Sequence, residues 1–123
     1  MVLIGRTPAE EARSRAHLLA STALRSISKP ETAPENEVGL NNVYRMLQGY
    51  RVGTLKRGVS AKVYSALESA TQSIFPNQSR DQAIEKVEDV IRGMVYPREF
   101  KQPSEEDREK AKYFFEELSE KLL

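Results

Sequence analysis

Residues 39–70 read GLNNVYRMLQGYRVGTLKRGVSAKVYSALESA. From Val38 to Leu67 the chain holds no Asp or Glu, yet it carries Arg45, Arg51, Lys56, Arg57 and Lys62. Val43, Met46, Leu47 and Tyr50 recur at helical spacing, which predicts a short helix from near Gly39 to Gly49. Glycine is a natural left-handed residue at such a C-terminus. Gly53 and Gly58 then bracket a loop, with a weak signal for a brief hairpin across Tyr50 to Lys56. Ser60 is expected to cap a second helix with Val63, Ala66, Leu67, Ala70 and Ile74 as its buried face, which Pro76 closes. Helical periodicity on both sides of the loop makes the fold class all-α.

The flanking sequence extends that reading. Thr7-Pro8-Ala9-Glu10 is a helix start, with a capping hydroxyl, a proline at the first helical position and a glutamate behind it. Ala12, Ala16, Leu19, Ala23 and Ile27 form the apolar stripe of an amphipathic helix whose small residues let another helix approach closely. Lys29-Pro30 ends it. Residues 30–38, PETAPENEV, hold two prolines and three glutamates and are expected to be an extended linker. Ser79-Arg80-Asp81-Gln82 is a capping box opening a helix with Ile84, Val87, Ile91 and Met94 inward. Ser104 caps a last helix whose first turn is acidic, which suits the helix dipole, and whose apolar face is Ala111, Phe114, Phe115, Leu118 and Leu122. The expectation is a single domain over residues 1–123, a compact bundle of about five helices.

Composition narrows the function classes. A chain of 123 residues suits one hydrophobic core. There is no cysteine, so disulfides and thiolate metal sites are excluded, and a cytoplasmic location is expected. No run approaches the roughly 18 apolar residues of a membrane span, and the opening MVLIG is too short for a signal peptide. Net charge is only +1. Its distribution is uneven: residues 1–37 balance, residues 38–80 oppose six bases to Glu68 alone, and residues 81–123 are acidic. Such sorting makes one face positive on a nearly neutral molecule.

Catalytic and metal chemistry find little footing. His17 is the only histidine, and it lacks the partners that a nucleophile–base pair or a histidine-rich metal site needs. Glu85, Glu88 and Asp89, and Glu105, Glu106 and Glu109, share helix faces, but they read as solvated faces and dipole partners rather than cation ligands. Gly49, Gly53 and Gly58 do not have phosphate-loop spacing. No enzyme activity, cofactor or metal is expected.

The basic stretch carries the functional reading. Lysine and arginine supply most of the sequence-independent attraction to phosphate. Asn41, Asn42, Arg45 and Gln48 lie on the polar side of the first helix, and these residue types read base edges in a major groove. Arg51, Lys56, Arg57 and Lys62 supply charge, and Ser60 at a helix start offers a hydroxyl and neighbouring amides to a phosphate. Residues 39–49, GLNNVYRMLQG, resemble the recognition helix of helix-turn-helix proteins. Residues 59–70, VSAKVYSALESA, are similar to the following helix of lactose-repressor-type and phage-repressor-type DNA-binding domains. That resemblance implies major-groove insertion of Asn41, Asn42 and Arg45, with backbone contacts from the loop and Ser60.

Two functions follow as expectations. The first is a small helical protein that binds nucleic acid, duplex DNA above single strands, because Tyr44, Tyr50 and Tyr64 make a sparse stacking platform. The second is a non-enzymatic adaptor that binds a larger protein. The apolar face of the last helix is the candidate surface for a homodimer or a protein partner.

Overall fold

Among the described residues, three of the five α-helices begin at a capping hydroxyl named in the sequence. The computed structural model of the protein describes residues 7–123; the opening MVLIG lies outside them. Helix α1 spans Pro8–Ser28, α2 Glu37–Val52, α3 Ala61–Ile74, α4 Arg80–Val95 and α5 Glu105–Lys121. Among the described residues there is no strand. Thr7, Ser79 and Ser104 each stand in extended backbone, and their hydroxyls accept from the amides of Glu10, Gln82 and Asp107 at 3.1–3.2 Å. At α4 the box is complete, because the Ser79 amide donates to Gln82 Oε1 at 3.4 Å. Ser79→Ala should therefore cost about 1 kcal/mol. A lower urea midpoint with an unchanged m-value would show it.

The segment expected to be an extended linker is instead a 3-10 helix over Pro30–Asn36, running directly into α2. The fixed φ of proline fits this helix type as well as it fits an extended chain, and Pro30 sits at its start, where no amide is required. The Thr32 amide and hydroxyl both donate to the Lys29 carbonyl, at 2.9 and 2.7 Å. Ala33 is fully buried, so the segment is part of the packing.

Helix α2 likewise exceeds its expected range. It starts at Glu37 rather than Gly39, passes through Gly49 and ends at Gly53, whose φ of 84° is the left-handed stop. Gly49 serves another purpose. A Cβ there would lie 3.1 Å from Thr54 Oγ1 and 3.2 Å from Leu55 Cγ, so its bareness lets the next turn fold back onto the helix. The Thr54 amide donates to the Gly49 carbonyl at 2.9 Å, and the hairpin suggested for Tyr50 to Lys56 does not form. Ser60 does not cap α3. It lies in a 3-10 turn over Gly58–Ser60 with φ −95° and ψ 5°, not in the extended geometry of the three working caps.

Cross-helix pairs define the topology. Gly39 approaches Thr22, and Asn36 Nδ2 donates to Ser26 Oγ at 3.5 Å, so α1 and α2 are antiparallel. Arg51 meets Glu85 and Glu88, Tyr44 meets Arg92, and Asn41 meets Tyr96, so α2 and α4 are also antiparallel. His17, midway along α1, lies 3.1 Å from Ser119 near the end of α5, and Arg13 near the start of α1 lines one hollow with Lys121, the last residue of α5, so these helices make a third antiparallel pair. Helix α3 is inserted in the connection from α2 to α4 and packs chiefly on α5, with Phe75 and Phe114 rings 6.5 Å apart. The core is built on Leu40, Leu47, Tyr50, Leu67, Ile84, Ile91, Phe114, Phe115 and Leu118, all fully buried.

That packing settles the role of α5. Phe114, Phe115, Leu118 and Leu122 are interior, so the apolar face considered for a dimer or partner is consumed by the protein's own core. Of the stripe expected on α1, Ala16, Ala23 and Ile27 are buried and Ala12 and Leu19 half-buried, and Ala20, outside that stripe, is buried with them. No described helix is long and apolar enough to cross a membrane.

Candidate nucleic-acid-facing surface

Helix α2 presents three different faces, and they divide the expected site residues. Leu40, Val43, Leu47 and Tyr50 face the core. Val38, Asn42, Arg45 and Val52 recur at intervals of three, four and seven, and they form the exposed stripe; Val38 is 78 % and Val52 69 % exposed. Between these faces a polar edge lies against α4, carrying Glu37, Asn41, Tyr44 and Arg51, with Gln48 half-buried at the same helical register.

Glu37, Asn41, Tyr44 and Arg51 of that edge are engaged inside the fold. Asn41 Nδ2 donates to the Tyr96 hydroxyl at 3.2 Å, which in turn donates to Glu37 Oε1 at 2.6 Å. The bond to Glu37 holds the Tyr96 hydroxyl above its ordinary pKa. Arg51 clasps Glu88, donating from Nε to Oε2 at 3.3 Å and from Nη2 to Oε1 at 3.2 Å, and reaches Glu85 at 3.5 Å. Glu88 is buried, and burial pushes its carboxyl up in spite of the pull of Arg51. Asn41 and Arg51 are therefore structural contacts between α2 and α4, contrary to their expected place on an outer binding surface. The expected phosphate contact at Ser60 loses its capping geometry and is half-buried.

Asn42, Arg45, Lys56, Arg57 and Lys62 are exposed. Lys56 and Arg57 ride on the turn after Gly53, and Lys62 starts α3. None of these four cations makes an ion pair among the described residues, whereas Arg51, Arg80, Arg92 and Lys110 all do. Arg80, the sixth base of the basic stretch, lies 5.6 Å over the Tyr50 ring and donates to the Tyr64 hydroxyl at 2.9 Å. His17 is half-buried beside Ser119, and Glu85 and Glu88 flank Arg51. Among the described residues no group of three His, Asp or Glu side chains is placed to hold a metal.

Two cations that the sequence did not single out stand near Lys62. Arg13 of α1 and Lys121 of α5 share with it one open concavity. They lie 49 and 59 positions away along the chain, so only the tertiary structure brings them together.

Comparison of the chain with protein-family models, with curated proteins and with solved structures finds no match.

Proposed function

We propose that the protein binds the backbone of a nucleic acid, duplex DNA in particular, through Arg45, Lys56, Arg57 and Lys62. The observation that carries this reading is the sorting of charge. Four exposed cations stand on a stretch that holds no acid from Val38 to Leu67, whereas the other described cations lie among acids. Unpaired, solvent-facing Lys and Arg are the groups that displace counterions from phosphate. The rings speak for a duplex over a single strand. Tyr50 is buried and Tyr44 is covered by Arg92, so neither is free for a base to stack on. On this proposal Asn42 and Arg45, outward on α2, are the pair that reads base edges, the role implied by the helix-turn-helix resemblance.

Fluorescence anisotropy against random duplex DNA at several salt concentrations tests it. The expected log–log slope is about −3 to −4 for four phosphate contacts. Lys56→Ala with Arg57→Ala should weaken binding to every sequence alike and flatten the slope by about 2, while Arg45→Ala should also relax sequence preference. Unchanged affinity in both variants would sink the assignment.

A second reading, binding to an acidic protein surface, is favoured by one observation: Val38, Val52 and Val59 are exposed beside the same cations. Binding to a protein partner that persists at salt concentrations abolishing duplex binding would select it.

A further inference from the structure

The antiparallel pairings gather several chain segments at one end of the bundle. There α1 begins, α2 ends and α5 ends. The turn carrying Lys56 and Arg57 belongs to the same end, and the 3-10 turn after it packs against α1. At this end a concavity of about 370 Å³ is lined by Arg13, Lys62, Ser65, Ser69 and Lys121, with Ala66 and Leu123. Each of three helices contributes one cation. Lys62, Ser65 and Ser69 lie at i, i+3 and i+7, so two hydroxyls line the same face of α3 as the lysine.

No carboxylate side chain lines this hollow, although Glu10 and Glu120 occupy neighbouring turns. None of the three cations has an ion-pair partner among the described residues. Like charges brought to one hollow repel one another, and an anion entering between them relieves that repulsion. Two serine hydroxyls add donors suited to phosphate oxygens.

We infer that this concavity seats a backbone phosphate of the bound nucleic acid, so that the contact surface runs from the Lys56–Arg57 turn across α3 to Arg13 and Lys121. This rests on the nucleic-acid reading above and adds two helices to the surface. Lys62 is the hinge of the two sets, facing the hollow while belonging to the basic stretch.

The test is the salt dependence of duplex binding by the full chain carrying Arg13→Gln with Lys121→Gln. Its control is Lys86→Gln with Arg98→Gln, which removes the same charge from exposed positions on and just beyond α4. Loss of that one phosphate contact should flatten the log–log slope by about 1 in the first variant, while the control keeps the wild-type slope. Arg13→Lys with wild-type Lys121 should keep the slope, and matching far-ultraviolet circular dichroism will show that the helices remain formed. Equal slopes for the double variant and its control overturn the inference while leaving the nucleic-acid reading intact. Absence of duplex binding by the wild-type chain at low salt overturns both.

Discussion

Arg51→Met should lower stability at neutral pH by about 3 kcal/mol, the lower part of the range for removing one partner of a buried ion pair. The lower part applies because Arg51 keeps 26 % side-chain exposure while Glu88 keeps 2 %. The variant leaves a carboxylate inside the α2–α4 seam with its principal counter-charge gone. The loss should also depend on pH, with a sign fixed by Glu88. Burial already raises its folded pKa above the ordinary value, and Arg51 opposes that rise. A raised acid pKa favours the fold fully below the unfolded value, and the contribution is lost as pH climbs through the folded one. Without Arg51 the folded value climbs further, so the variant can take up a proton in mild acid and relieve the stranded charge. Urea unfolding at pH 5 and pH 8 should therefore show the smaller deficit at pH 5. Adding Glu88→Met should restore much of the loss at both pH values, because an apolar pair can replace a buried ionic one. A pH-independent deficit would mean that Arg51 acts through its packing alone.

Gly93→Ala should be nearly as damaging, by about 3 kcal/mol, the upper part of the usual overpacking range. A Cβ at residue 93 would collide with the Lys101 carbonyl oxygen and come within 2.8 Å of Pro103 Cδ. Both obstacles belong to the backbone or ring of the segment leading into α5, so no side-chain rotation relieves them. The segment would have to lift, disturbing Phe100, whose ring lies 5.1 Å from the Arg92 guanidinium. A shift of about 4 °C per kcal/mol for a chain of this length puts the expected fall in Tm at about 12 °C. A thermal melt followed by circular dichroism at 222 nm measures it. A change under a couple of degrees would show that the 101–103 segment yields freely.

Local chemistry made most of the fold legible in advance. The capping residues Thr7, Ser79 and Ser104 act on amides three positions away, so four consecutive residues contain the whole interaction. The apolar stripes predicted for α4 and α5 are buried throughout and those for α1 and α3 in most positions, with Ala12, Leu19 and Ile74 half-buried, because helical spacing and burial are tied by geometry. Residues 30–36 misled because proline satisfies both extended chain and 3-10 helix, and the burial of Ala33 decides between them. Gly49 misled for a related reason. It is a glycine for the sake of Leu55 packing above it, not for a left-handed turn.

The candidate surface was legible as composition but not as geometry. The sequence shows that residues 38–67 are basic; it does not show that Asn41 and Arg51 turn toward partners 55 and 37 positions away. Glu88 reads as one more solvated acid of α4 and is instead the buried end of that seam.

The sealing of α1 against α5 bears on the order in which the chain assembles. Asn36 and Ser26 are separated by 10 residues, whereas Ser119 and His17 are separated by 102. Closing the longer loop from an open chain costs about 2 kcal/mol more in chain entropy, since the cost grows as the logarithm of loop length. On that ground the hairpin of α1 and α2 is expected to form before α5 docks, and Phe114, Phe115 and Leu118, interior in the folded protein, to lose contact with water last. A kinetic probe at Phe114 that lags one at the α1–α2 contact would show this order.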